Sequence, residues 1–309
     1  MVVVIEEEEG VEFHDLPEGC IENVLSFTTP RDVARLSLVS STFKSAAESD
    51  SVWDKFLPPD YRSIISQSET DVDDSLSVLS KKDLYINLTQ KPILIDGGKK
   101  SFQLDKVDGK KCYMLSARSL FIVWGDTPRY WKWISLPDSR FSEVAELVSV
   151  CWFEIRGWIN TSMLSPQTSY GAYLVFKATG SGTYGFEYQP VEASIVIAGG
   201  EHVERNVFLD VERGRRLRYQ IVPRRFRTGI FSRAPFVEAP VAPTESVEDM
   251  QKYPKDRADG WLEMELGEFF NEGGDDKEVE IGVYEVKGGG WKGGLVVQGI
   301  EIRPKPKPC

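Results

Sequence analysis

Apolar residues recur at two different periods along this chain, and the change from one to the other falls near Lys111. In the first sixty residues the spacing is three and four. Ile21, Val24 and Leu25 form one stripe behind Leu16-Pro17, and a proline suits the first turn of a helix. Thr29-Pro30-Arg31-Asp32 supplies a threonine cap, a proline at the first position and an acid three residues after the cap. A second helix is therefore predicted from there, with Val33, Leu36, Val39, Ser40, Phe43 and Ala47 along one side. Val52, Trp53, Phe56 and Leu57 predict a third short helix, ended by Pro58-Pro59. So small a bundle has little core of its own and leaves apolar side chains over for a partner. Residues 66–80 are rich in serine and aspartate, with Asp71, Asp73 and Asp74 clustered, and read as a polar surface segment. The stretch from Leu84 to Leu104 carries helix and turn cues and reads as a bridge.

Beyond Lys111 the period is two, the mark of half-buried strands. In Trp261-Leu262-Glu263-Met264-Glu265-Leu266 the leucines and methionine share a face and the acids take the other. Val207, Leu209 and Val211 alternate in the same way, as do Ile300 and Ile302 around Glu301. Short strands divided by glycine and proline, without helical repeats between them, favour an antiparallel fold. The expected class is α+β multidomain: a three-helix domain over 11–60, a polar linker and bridge over 61–110, and an antiparallel, jelly-roll-like β-sandwich over 111–305.

Charge and cysteine content narrow the function. A formal net charge of -11 disfavours nucleic acid as a ligand, because that affinity comes mainly from lysines and arginines neutralising phosphates. Cys20, Cys112, Cys151 and Cys309 are widely spaced, without a CxxC pair, and fit a reducing compartment. Neither a signal-peptide pattern nor an apolar run of membrane-spanning length is present, so cytoplasm and nucleus are the expected locations. The sequons at Asn87 and Asn160 are then chance matches.

The two histidines, His14 and His202, leave little material for a histidine triad or a multi-histidine metal site, and no cofactor is expected. Gly97-Gly98-Lys99-Lys100-Ser101 lacks the spacing of a phosphate loop, and Gly288-Gly289-Gly290-Trp291-Lys292 lacks the following Ser or Thr. A glycan hydrolase would need paired carboxylates such as Glu278, Glu280 or Glu285. Acids on strands are more often solvated faces. The arginines between Arg213 and Arg227 form a basic island, read as a strand face paired with nearby acids. Trp124-Gly125-Asp126-Thr127-Pro128-Arg129-Tyr130-Trp131-Lys132-Trp133 packs four aromatics around a turn, with Trp131 and Trp133 on one strand face and Tyr130 on the other.

Leu16-Pro17, Leu36, Val39-Ser40, Phe43 and Trp53 together resemble the F-box, whose helices expose apolar side chains to a Skp-type adaptor of a cullin ubiquitin ligase. The resemblance implies an interface of Leu16, Pro17, Ile21, Val24, Leu25, Leu36 and Val39. Phe43 and Trp53 read as bundle core. From Lys111 to Pro304 the chain resembles the phloem protein 2 family, which includes plant lectins related to the tobacco agglutinin. The segments that carry this likeness are 124–133, Glu143–Leu147, Tyr173–Lys177, Asp259–Glu263, Gly267–Asn271 and Ile300–Pro304. It implies sugar contacts by Trp124, Trp131, Glu278 and Glu285, with N-acetylglucosamine-containing glycans as ligands. An indole can stack on the apolar face of a pyranose while a carboxylate accepts from its hydroxyls. On an unbroken strand, however, Glu278 and Glu285 would fall on opposite faces. The implied protein is a non-catalytic adaptor whose sandwich selects glycoproteins for ubiquitination; a sandwich that binds a protein surface without sugar is the alternative.

Overall fold

A computed structural model of the chain describes residues 16–68, 78–187, 189–211 and 252–306. The arginines from 213 to 227 and the Asp71 cluster lie outside the described residues. The chain divides into two compact units. One holds residues 1–97 and 101–113; the other holds 98–100 and 114–309.

The first unit contains α1 (Glu18–Ser26), α2 (Pro30–Leu36), α3 (Ser41–Glu48), α4 (Asp50–Trp53), α5 (Tyr61–Ile65) and α6 (Lys81–Gln90), followed by β1 (Ile93–Ile95), β2 (Lys100–Leu104) and the start of β3 (Lys111–Ser116). The Thr29 side chain accepts from the Asp32 amide at 3.1 Å, and Pro30 occupies the first helical position. The helix expected to run on to Ala47 is instead two. Ser40 is extended and its hydroxyl accepts from the Phe43 amide at 3.2 Å, so it starts a new helix rather than continuing the old one. Ile21, Leu25, Val33, Ala46, Ala47, Val52 and Trp53 are buried in this bundle. The Trp53 indole donates to the Ala47 carbonyl at 2.7 Å and packs 5.3 Å from the ring of Tyr85 on α6. The described part of the segment read as a linker and bridge thus folds into helices and strands, because α6 brings Leu84, Tyr85 and Leu88 as an apolar face.

The second unit adds β4 (Phe121–Ile122), β5 (Trp131–Ile134), β6 (Val144–Leu147), β7 (Phe153–Asn160), β8 (Thr168–Ala178), β9 (Val191–Ile197), β10 (His202–Val207), β11 (Lys255–Asp256), β12 (Leu262–Asn271), β13 (Glu278–Glu285) and β14 (Leu295–Pro304). One sheet runs β14-β8-β12-β11, with β6 beside β14 and β5 beside β6; the other runs β10-β9-β13-β7-β4. The pairings are antiparallel. Ile300 and Ile302 of the first sheet and Ile155, Val279, Ile281 and Val283 of the second are fully buried. The two sheets meet closely at Gly157, where a Cβ would stand 3.4 Å from Ile300 Cδ1. This is the expected β-sandwich.

The outward face of the β14 sheet is not simply solvated. Glu301 is only 7% exposed; Arg257 and Arg303 each reach its carboxylate at 2.6 Å and Arg140 does so at 3.5 Å. Arg303 also bonds Glu263 at 2.6 Å and lies 3.8 Å over the Tyr173 ring. Burial on its own would raise the Glu301 carboxyl, but the hydrogen bond from Arg257 and the charges of Arg257, Arg140 and Arg303 bring it down to about 2.

Candidate functional site

In the helical unit the seven side chains implied by the F-box resemblance separate by burial. Ile21 and Leu25 are fully buried, Leu16 and Leu36 are partly covered, and Pro17, Val24 and Val39 face solvent. Helical spacing explains the split, since Val24 stands about 100° around α1 from Leu25. Two larger apolar side chains join the exposed set: Phe27 at 83% and Leu38 at 85%. Both sit in turns just past a helix end, where the Phe27 amide donates to Val24 O at 3.2 Å and the Leu38 amide to Arg35 O at 3.1 Å. A search for helical stripes misses them because they lie off the stripe. Apolar groups this exposed on so small a unit mark a partner surface.

At one end of the sandwich several loops are joined through the backbone. The Val148 amide donates to Tyr130 O at 2.9 Å, Val150 and Lys292 exchange amide bonds at 2.9 Å each, and Tyr184 and Gly293 do the same at 3.1 and 3.0 Å. The Val123 amide donates to Glu154 O at 3.1 Å, which brings Trp124 to this end as well. Lys292 is the anchor. It is buried, donates to the carbonyls of Gly290 at 2.8 Å and Cys151 at 3.4 Å, and is ion-paired with Glu285. Glu285 also accepts from the Gly288 amide at 2.9 Å. A buried charge is tolerated only when paired and hydrogen-bonded, so this pair fixes the glycine-rich loop after β13 against residue 151.

Around that anchor stand exposed rings. Trp124 is 43% exposed, packs 5.1 Å from Tyr130, and is held at φ 58°, a left-handed backbone unusual for a tryptophan. Such strain persists where surrounding structure enforces it, here the turn in which Gly125 donates to Ile122 O and Thr127 to Trp124 O, both at 2.9 Å. Trp152, Tyr184 and Trp291 are likewise exposed at this end.

The other three implied sugar contacts are not displayed beside Trp124. Trp131 is 2% exposed, with its ring stacked 6.3 Å from Phe153, so its indole belongs to the core and offers no free face. Glu278 and Glu285 occupy the two ends of unbroken β13, opposite Asn160 and Phe153. Seven residues separate them by about 23 Å and put them on opposite faces. Trp124 and Glu285 therefore share an end of the sandwich, and Glu278 lies at the other. Replacing Trp131 by alanine is expected to cost about 3–5 kcal/mol of stability through the cavity it leaves. Trp124→Ala should cost under about 1 kcal/mol. Thermal melts of the two variants check this, and equal melting temperatures would contradict the assignment of Trp131 to the core.

The phloem protein 2 family model matches residues 110–304, and the F-box domain model matches residues 13–55. The chain is 44% identical to the F-box protein PP2-B1 of Arabidopsis thaliana over 313 residues, covering 95% of this chain and 90% of that one. It is also 44% identical to F-box protein PP2-B10 of the same plant over 300 residues, covering 96% and 95%. F-box protein PP2-B15 is 45% identical, over 94% and 96%. Two domain matches in this order, with identity of this level running nearly end to end, place the chain in the PP2-B family of F-box proteins, an F-box joined to a phloem protein 2 lectin-like domain.

Proposed function

We propose that this protein is the substrate-recognition subunit of a Skp-cullin-F-box ubiquitin ligase, and that its lectin-like domain selects targets carrying N-acetylglucosamine-containing glycans. The observation that carries the first half is the exposure of Phe27, Leu38, Val39 and Val24 on the F-box unit. Apolar anchors of this kind become the buried centre of an interface. No catalytic role is assigned to the chain. Glu285 is neutralised by Lys292, and Glu280 is engaged by Arg156, Trp158 and Tyr284. The free thiols of Cys20 and Cys151 accord with action in cytoplasm and nucleus. Among the described residues, no helix is long and apolar enough to cross a membrane.

For the glycan half, Trp124 is the stacking residue, and Glu285 acts by holding the loop beside it. Titration calorimetry of the full chain with chitotriose should show binding that Trp124→Ala weakens by about tenfold or more, the loss of roughly 1.4 kcal/mol. Binding by wild type that Trp124→Ala leaves intact would move the sugar away from this end. Absence of binding by wild type would remove the glycan reading.

A further inference from the structure

The outward face of the second sheet carries a row of aromatic and charged side chains that the end site does not use. Phe121, Arg156, Gly282 and Ser194 stand opposite one another across β4, β7, β13 and β9; Trp158 faces Glu280 in the row on one side, and Glu154 faces Tyr284 in the row on the other. Strand alternation puts all of these on the face turned away from Ile155, Val279, Ile281 and Val283. Phe121 is half-exposed, and Trp158 and Tyr284 are partly exposed. None of these rings is needed to fill the space between the sheets.

Their polar edges are fixed. The Trp158 indole donates to Glu280 at 3.1 Å, and the Trp152 indole donates to Glu154 at 2.7 Å. Arg156 bridges the two carboxylates, reaching Glu154 at 2.7 Å and Glu280 at 3.2 Å, and sits 5.2 Å from the Tyr284 ring centre. Tyr284 lies over Gly282, in space that any side chain at 282 would occupy. The result is a pre-ordered platform in which ring faces alternate with carboxylates and a guanidinium.

We propose that this sheet face is a second carbohydrate-binding surface, which takes the chain of an extended, uncharged oligosaccharide. The choice of ligand class rests on the glycan reading above; the location does not. A pyranose chain presents apolar C–H faces to rings and hydroxyls to carboxylates and guanidinium, the groups that alternate here. One arginine against two glutamates leaves a net negative cluster, which disfavours phosphorylated or acidic ligands. A protein partner is disfavoured because interface cores are depleted of glutamate, and here Glu154 and Glu280 stand at the centre. Glu154 and Trp158 are four residues apart, about 13 Å along β7, which suits a chain rather than a single sugar. Trp152 is exposed at the loop end and bonded to Glu154, so the platform starts where the end site stops.

The test is calorimetric titration of the full chain with chitobiose and with chitohexaose. The hexamer is expected to bind at least tenfold more tightly, and Phe121→Ala, Trp158→Ala and Glu280→Gln should each remove most of that gain while leaving chitobiose affinity unchanged. Glu280→Gln preserves volume, and Phe121 is half-exposed, so a folding defect in Trp158→Ala would not decide the matter. Equal affinity for the two lengths, or a length gain that survives the Phe121 and Glu280 variants, overturns the proposal. If the gain survives but Trp124→Ala abolishes binding, the end site stands and the platform falls. If the platform variants abolish hexamer binding and Trp124→Ala does not, the platform stands and the end site falls.

Discussion

Glu301→Ala is expected to lower the melting temperature by about 10 °C at neutral pH, a loss of roughly 3 kcal/mol in a domain of this size. Glu301 holds Arg140, Arg257 and Arg303 on the outward face of β14, and its removal leaves three guanidinium groups in a partly buried site with fewer partners. Arg257 and Arg303 retain Glu263, which limits the loss. The pH dependence has a definite sign. An unfolded glutamate titrates near 4.3, whereas in the folded protein this carboxyl titrates near 2. A depressed folded value means that the contribution is fully present above about pH 4.3 and is lost as pH falls through about 2. The gap between wild type and Glu301→Ala should therefore be wide at neutral pH and close in strong acid. The exposed Glu278→Ala serves as the control, with a change within about 0.5 kcal/mol. A Glu301 variant that melts with wild type at neutral pH would contradict this description of the sheet face.

The sequence shows some of these features and hides others for physical reasons. Helix starts are local: Thr29, Pro30 and Asp32 announce α2 because the cap, the proline and the acid lie within one turn. The end of α2 is hidden, since Leu36, Val39 and Phe43 keep a helical spacing through a break that the Ser40 hydroxyl creates. Period-two alternation locates β12 and β14 and identifies which residues share a face. It does not say which face is covered. That is why Trp131, on a strand with an evident aromatic pattern, reads equally well as a sugar platform or as core, until Phe153 and burial decide for core. Glu285 is an acid on the strand face that otherwise carries Val279, Ile281 and Val283. Its partner, Lys292, lies in a glycine-rich loop, and only the folded backbone shows that the two meet. The guanidinium cluster on Glu301 draws on residues as distant as Arg140 and Arg257, which no spacing rule connects. Trp124 is legible in the sequence through its likeness to lectin residues, whereas its left-handed backbone is visible only in the structure.

Phe27→Asp and Leu38→Asp should each weaken adaptor binding by a factor of about 30, the loss of roughly 2 kcal/mol expected when an interface anchor is removed. Both side chains are more than four-fifths exposed, so neither change should move stability by more than about 0.5 kcal/mol. Val33→Asp is the contrasting case. Val33 is fully buried between α2 and the rest of the bundle, and a charge there should unfold the F-box unit itself. Affinity by surface interferometry and stability by thermal melt separate the two classes. Loss of binding in the surface variants with melting unchanged assigns those side chains to the interface. Unchanged binding in both would place the adaptor elsewhere on the unit.

The most direct measurement is co-elution of the full chain with a purified Skp-type adaptor on size exclusion. The full chain is needed because Tyr85 of α6 packs on Trp53, so a cut near residue 80 would disturb the bundle under test. A stable complex that the Phe27→Asp, Leu38→Asp double variant fails to form is the predicted result. No complex with the unaltered chain would contradict the ubiquitin-ligase role and leave a lectin-like protein with an unengaged helical domain.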